Sequence, residues 1–334
     1  MGKPTLSICI PTYNRAEFLG ECLESLALLD AGYWEDVEVI VSDNASTDNT
    51  REVVDRFRRT LPLRYFRNER NIGAEPNYFA AASYALAEYV WIFGDDDVFE
   101  EAAVASALQN IHQGYDLIVL NFSIWSRKMD IEVCSSGLPR ATFGTYGDPN
   151  AVLASLGSHL GYISSVILKR EIFFSVPPEE HEPFAQNLFT NMYSIYRGIR
   201  SGTRVICLPD PVFMRRAENS DFFMGETALY KWNKTFIEGT AQIFEALGHK
   251  GYSICAVVRA KNQVLRDFVI WQILAGMKGV DRPRLLRYMC RHYQWNWRFW
   301  VICFPALLMP RSFLSFARER YRAVRSIVRS YCRA

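Results

Sequence analysis

No two of the eight cysteines stand at C-x-x-C spacing, and they are scattered from Cys9 to Cys332. That pattern excludes the usual zinc-ligand spacing and points to reduced thiols in a cytosolic protein. Long apolar runs are missing too. The best candidate, residues 299–309, is shorter than a membrane span and contains Pro305, so no transmembrane helix is expected. Residues 6–10 are too short for the apolar core of a signal peptide and run into Thr12-Tyr13-Asn14-Arg15. No G-x-G-x-x-G follows this first apolar run, which argues against a dinucleotide oxidoreductase. Nor does a Gly-rich, Arg/Lys-containing phosphate loop follow it, which argues against a nucleotidyltransferase, the other enzyme class of similar architecture. Internal repeats and low-complexity segments are absent.

What is present is a chain of 334 residues, 49 % hydrophobic and 22 % charged, enough to bury a large core and far from the composition of a disordered chain. The size predicts one large domain with an appendage, divided at about 1–225 and 226–334. The net charge of +2 conceals an asymmetry: from Asp281 onward there are twelve arginines, no lysine and two acidic residues, so this tail carries +10 and the first 280 residues −8. An acidic body with a basic tail suits a polyanionic partner.

Apolar periodicity predicts strands near 5–10, 37–41, 63–66, 89–93 and 117–121, alternating with helices near 15–29, 50–59, 76–87 and 100–111. Asn14 is a candidate N-cap for the first helix. That order predicts an α/β, doubly wound, mostly parallel sheet. A polar loop or hairpin over 123–149 follows, then a strand near 162–168, a helix over 184–199 and a strand at 205–208. Beyond Tyr230 the chain reads as helical, with breaks near 248–251, 276–283 and 305–310.

The fourth strand ends abruptly in Gly94-Asp95-Asp96-Asp97. Three adjacent carboxylates repel one another, and burial would force them to take up protons or find a cation. A hard divalent ion bridging to phosphate oxygens answers both demands. Two other loops directly follow strands, Pro11-Thr12-Tyr13-Asn14-Arg15 and Ser42-Asp43-Asn44-Ala45-Ser46-Thr47-Asp48. They offer the amides, hydroxyls and carboxylate that a nucleotide needs, at the strand ends where such sites form. Each loop alone would read as a solvated turn; three in this order predict a metal-nucleotide site.

The segments LSICIPTYNRAEFLGECLESL, VEVIVSDNASTDNT and RNIGAEPNYFAAASYALAEYVWIFGDDDVF resemble the N-terminal half of a family 2 glycosyltransferase of GT-A fold, over about residues 4–121. Within that family they are most similar to the abequosyltransferase-like branch, which adds deoxysugars to lipid-linked O-antigen units. The resemblance implies that Pro11, Thr12 and Asn14 line the nucleotide sugar, that Asp43 bonds the base, and that Asn71 and Gly73 let the backbone approach the nucleotide. It implies a DxD role for Asp95 near the ribose and Asp97 on Mn2+ or Mg2+, with Asp96 able to serve either way.

The second half departs from the family. Its general base is an acid about a dozen residues before a Gly-x-x-Ile/Val strand, and here that position falls at Thr190-Asn191. The nearest suitable groups are Glu180, His181 and Glu182, which read equally as a solvated acidic turn. His159 reads as structural, and Arg215-Arg216 as a pyrophosphate contact or a surface charge. In the tail, Tyr288, Tyr293, Trp295, Trp297, Phe299 and Trp300 interleave with Arg287, Arg291 and Arg298, and an aromatic stripe over 313–331 opposes a second arginine stripe over 318–333. That is the composition of helices lying on an anionic membrane surface; the alternatives are nucleic acid, which sugar chemistry disfavours, and a core-packed helix with a basic outer face. These expectations describe a peripheral enzyme on the inner face of the cell membrane, taking a nucleoside diphosphate sugar and a lipid-linked oligosaccharide acceptor. A membrane-bound nucleotide-binding pseudoenzyme is the non-enzyme alternative.

Overall fold

A computed structural model describes residues 3–184, 187–217, 234–266 and 282–310. Four parallel strands open the sheet: β1 (Leu6–Thr12), β2 (Val37–Asp43), β3 (Leu63–Arg67) and β4 (Tyr89–Ile92), in the order β3-β2-β1-β4. The runs of β1, β2 and β4 are buried on both faces, as the central strands of a covered parallel sheet must be, while β3 at the edge is only partly covered. Beyond β4 come β9 (Val166–Lys169), β6 (Leu117–Trp125) and β10 (Val205–Arg216), with the short β5 (Val98–Phe99) at the edge. Only β9 among these three longer strands runs against the others, so β6 and β10 end on the same side as β1–β4. The polar stretch expected as a loop or hairpin contributes β7 (Glu132–Cys134), paired to β6, and β8 (Gly144–Tyr146), paired to β10.

The helices follow the predicted periodicity with shifted ends. In α1 (Ala16–Ala27), Leu19, Cys22, Leu23 and Leu26 form the buried face. Its first turn is capped by Asp48 Oδ2, which accepts from Ala16 N at 3.0 Å; Asn14 is not the cap, because it turns away with φ 52°. The next helices are α2 (Thr50–Phe57), α3 (Ala74–Ser83), α4 (Ala103–His112), α5 (Pro149–Leu156) and the single turn α6 (Arg170–Phe173). Gly73, at φ 98°, starts α3 two residues earlier than the periodicity indicates, a conformation glycine adopts without penalty. The helix expected over 184–199 is α7, Thr190–Gly198. Residues 182–184 form only a 3-10 turn containing Pro183, and Asn187 folds its own side chain onto Phe189 N instead of propagating a helix.

The C-terminal part is helical as expected: α8 (Thr240–His249), α9 (Ile254–Val264), α10 (Arg282–Tyr293) and α11 (Phe304–Leu308). It packs onto the sheet-bearing part. Ser253 N donates to Asn150 Oδ1 at 2.7 Å, Tyr252 OH to Tyr196 O at 2.6 Å, and Gln263 Nε2 to Ser155 O at 3.1 Å. Leu285, Met289, Tyr293, Phe299 and Cys303 belong to the same buried apolar cluster as β1 and β4. The expected boundary at 225/226 and the aromatic and arginine stripes of 313–333 lie outside the described residues.

Candidate functional site

The carboxyl ends of β1, β2 and β4 bring three loops together. Register alone sets Thr12 beside Asp43 and Asp43 beside Arg67. Thr12 Oγ1 donates to Asp95 Oδ2 at 2.7 Å. Arg15 forks across two aspartates, 2.9 Å from Asp95 Oδ1 and 2.9 Å from Asp96 Oδ2. Asn14 ties the first loop to the second: its N–H donates to Ser46 Oγ, and its Oδ1 accepts from Thr47 N at 2.7 Å. Asn14 and Ala45 both sit in the left-handed region, φ 52° and 65°, the kind of local strain that collects at functional loops.

Of the residues expected to touch a nucleotide, Pro11 and Thr12 are buried at the end of β1, while Asn14, Asn71 and Gly73 are exposed. Asp43 is buried and already engaged. It accepts from Ser46 N at 2.8 Å and from Tyr65 OH at 2.5 Å, with Arg67 Nε 3.5 Å away. Asn71 Oδ1 accepts from Asn44 Nδ2 and from Gly73 N, both at 2.9 Å. Asn44 Oδ1 in turn accepts from Ile72 N and Asn68 Nδ2. This asparagine web fixes the backbone turn ahead of α3.

The three aspartates are not equivalent. Asp97 is 2 % exposed, and its carboxylate accepts from Tyr162 OH at 2.5 Å, Ser164 Oγ at 2.6 Å and Arg216 N at 3.3 Å. Asp95 is also buried. Desolvation raises both carboxyls; Arg15 opposes the rise at Asp95, while the neighbouring Asp96 adds to it at Asp97. Asp96 keeps a quarter of its side chain open. The outward carboxylate of the triplet is therefore Asp96. Arg216 is buried rather than a surface charge: Nε donates to Asp96 O at 3.1 Å, Nη1 to Arg127 O at 2.6 Å, and Nη2 pairs with Glu21. Arg215 is exposed, its guanidinium 5.2 Å from the centre of the Tyr162 ring.

Glu180 and His181 find their partners away from the aspartate loop. Glu180 Oε2 lies 3.0 Å from Lys250 Nζ, 2.9 Å from Tyr193 OH and 3.3 Å from Arg197 Nε. Lys250 first, then Arg197 and Tyr193, pull its carboxyl down to about 2, far too acidic for a general base at neutral pH. His181 Nε2 sits 2.8 Å from Ser194 Oγ with its ring 5.2 Å from that of Phe79, and burial lowers its pKa. Glu182 is exposed. The first two clamp a turn onto α7.

Sequence reading passed over Arg15, Tyr162, Ser164 and Glu75. Tyr162 and Ser164 carry no motif, and Glu75 reads as an ordinary acid in the first turn of a helix.

Carboxylate oxygens at the cleft are hard ligands that fit Mg2+ or Mn2+. No group of three or more His, Cys, Asp or Glu converges as a closed cage among the described residues.

Residues 7–132 match the profile of Glycosyl transferase family 2. The chain is 33 % identical over 183 residues to Abequosyltransferase RfbV of Salmonella typhimurium, covering 50 % of this chain and 53 % of that relative. It is 32 % identical over 114 residues to GalNAc(5)-diNAcBac-PP-undecaprenol beta-1,3-glucosyltransferase of Campylobacter jejuni, covering 34 % and 36 %. The matched stretch thus spans about half the first relative's length and about a third of the second's. Among solved structures, S. aureus TarS 1–349 in complex with UDP-GlcNAc superposes with TM-score 0.57 at 19 % identity, over 98 % of this chain and 92 % of that one. Mannosyltransferase PcManGT from Pyrobaculum calidifontis, in complex with GDP-Man and Mn2+, gives TM-score 0.55 at 17 % identity, over 92 % and 86 %. Likeness at these identities establishes the fold.

Proposed function

We propose that this chain, which carries the family 2 glycosyl transferase pattern over residues 7–132, transfers a sugar from a nucleoside diphosphate donor to a hydroxyl acceptor. The observation that carries the reading is the knot of strand-end loops, in which Thr12 and Arg15 of the first loop grip Asp95 and Asp96 of the third. Such a knot sets a carboxylate at the strand ends, where Tyr13, Asn14, Asn71 and Gly73 of the adjoining loops are exposed for a nucleotide. Asp43 still has acceptor capacity for a donor group on the base.

Mg2+ or Mn2+, when bound, neutralises the diphosphate as the glycosidic bond breaks. Asp96 is the carboxylate placed to hold it, with Asp95 behind; Asp97 instead braces the loop against Tyr162 and Ser164. Arg215, exposed over Tyr162, is placed to meet a phosphate. The relatives' names support a finer reading: a deoxysugar or hexose passed to a polyprenyl-pyrophosphate-linked oligosaccharide for a surface polysaccharide. The helical part beyond residue 226 then serves as the membrane-facing appendage, working on the inner leaflet. Trp295, Trp297, Trp300, Val301 and Leu308 stand exposed on it beside Arg287, Arg291 and Arg298. No helix among the described residues is long and apolar enough to cross a membrane.

A panel of UDP-, GDP- and CDP-sugars, each scanned for thermal stabilisation with and without Mn2+, tests the reading. Metal-dependent stabilisation by one nucleotide sugar, with release of its nucleoside diphosphate, is expected. No stabilisation by any of them refutes it.

A further inference from the structure

Glu75 is a carboxylate with an unusual placement. Its neighbours Ala74 and Pro76 are exposed, yet Glu75 is 8 % exposed. It projects from the first turn of α3, two residues after Gly73, and reaches the start of α7. There its Oε1 accepts from Thr190 N at 2.6 Å. The N-cap residue of α7, Phe189, has no side-chain oxygen to offer. Glu75 therefore meets the backbone of the very segment, Thr190-Asn191, where the family pattern calls for an acid and this chain has none. One turn along α3, Tyr78 lies within electrostatic reach of Asp95, Asp96 and Arg15 as well as Glu75, so Glu75 and the aspartate loop share Tyr78 as a neighbour.

Several other carboxylates of the region are held by loops or ion pairs. Asp43 and Asp48 hold loop amides, Asp97 holds two hydroxyls, Glu21 pairs with Arg216, and Glu180 pairs with Lys250 and Arg197. We propose that Glu75 is the general base of the transfer, taking the place of the acid missing from α7. The proposal rests on the glycosyl-transfer reading above. In the step, the acceptor hydroxyl gives its proton to the Glu75 carboxylate as its oxygen bonds to the anomeric carbon. The bond from that carbon to the phosphate oxygen breaks, and the nucleoside diphosphate leaves with the electron pair.

Two features suit Glu75 to that work. Desolvation raises its carboxyl to about 7, against the pull of the Thr190 hydroxyl and of the Thr190 and Asn191 amides, so it is ionised above neutrality and a competent proton acceptor. Around it stand Tyr78 on its own helix and, at the start of α7, the Thr190 hydroxyl and the Thr190 and Asn191 amides. A carboxylate kept only as a helix cap would gain nothing from this burial.

The test is the Glu75→Gln variant, whose amide oxygen still accepts from Thr190 N. Nucleoside diphosphate release is measured with water as acceptor, using whichever nucleotide sugar stabilises the wild type most. Glu75→Gln is expected to bind the donor within about twofold of wild type and to release diphosphate at least about a hundredfold more slowly. The wild-type rate is expected to fall below about pH 7, and the residual rate of the variant to stay flat there. A second variant, Glu75→Ala, is expected to regain rate when sodium formate is supplied. Active wild type with an unimpaired Glu75→Gln overturns the assignment alone. Wild type that neither binds nor turns over any donor overturns the glycosyl-transfer reading and the assignment with it. Slow turnover in Glu75→Gln with weakened donor binding and an unchanged pH profile assigns Glu75 to structure instead.

Discussion

Individual side chains at this site do opposite work with the same chemistry. Asp96 and Asp97 are adjacent in sequence, but one opens to the cleft and the other satisfies two buried hydroxyls. Asp96→Asn is expected to fold normally and to lose metal-dependent thermal stabilisation, as calorimetric titration with Mn2+ would show. Asp97→Ala is expected to lower the melting temperature. It strands Tyr162 OH and Ser164 Oγ, and each unsatisfied buried donor costs about 1–3 kcal/mol; a melting curve equal to wild type would contradict this bracing role. Glu75 makes a prediction of its own. Its folded pKa is raised, from 4.5 to about 7, so its ionisation opposes folding. The penalty is absent below about pH 4.5, grows as pH rises towards 7 and is complete above it, reaching roughly 3 kcal/mol at most. Glu75→Gln is therefore expected to melt higher than wild type at pH 8 and together with it at pH 4.5. The Asp triplet was legible as a carboxylate cluster because three charges in a row are visible in one dimension. Which of them faces outward depends on Tyr162 and Ser164, some 65 residues away, and no local pattern records that.

At the scale of elements, the βα units of the first half follow their periodicity closely, because apolar runs and amphipathic spacing are local properties. The failures cluster where a distant partner decides. The cap of α1 comes from Asp48, not from Asn14 beside it. The turn at 178–184 is held to α7 by Glu180, so this acid serves the scaffold. Its folded pKa lies below the ordinary value, at about 2 against 4.5. Its stabilising contribution is present above about pH 4.5 and is lost as pH falls through about 2. Glu180→Gln is expected to destabilise by no more than about 1 kcal/mol at pH 7, given partial exposure of the ion pairs, and to keep its turnover. A hundredfold loss of rate in that variant would return the base to this turn.

For the whole molecule, the question is whether the helices after residue 226 form a detachable membrane anchor. The structure puts part of residues 282–307 in the core. Leu285, Met289, Tyr293 and Phe299 are buried in the common core. Removing four such side chains forfeits roughly 6–12 kcal/mol of burial, comparable to the entire stability of a typical domain. Truncation before Asp281 is therefore expected to yield insoluble or proteolytically sensitive protein. The outward face is separable from this. Replacing Trp297 and Trp300 with serine in the full chain is expected to preserve the melting temperature and nucleotide binding while weakening sedimentation with anionic liposomes at low salt. Equal liposome binding would dismiss these residues as the contact.

Sequence by itself determined the alternation of strands and helices, the three loops at the strand ends, the carboxylate cluster and the charge split between body and tail. All of these are recorded in contiguous residues, through periodicity, turn chemistry and composition. Only the tertiary structure decided which aspartate faces the cleft, that Glu180 braces a turn, that the tail's inner face is core, and that Glu75 from α3 meets the empty position at the head of α7. Each of these depends on desolvation and on partners from distant parts of the chain, and burial is set by the packing of the whole molecule.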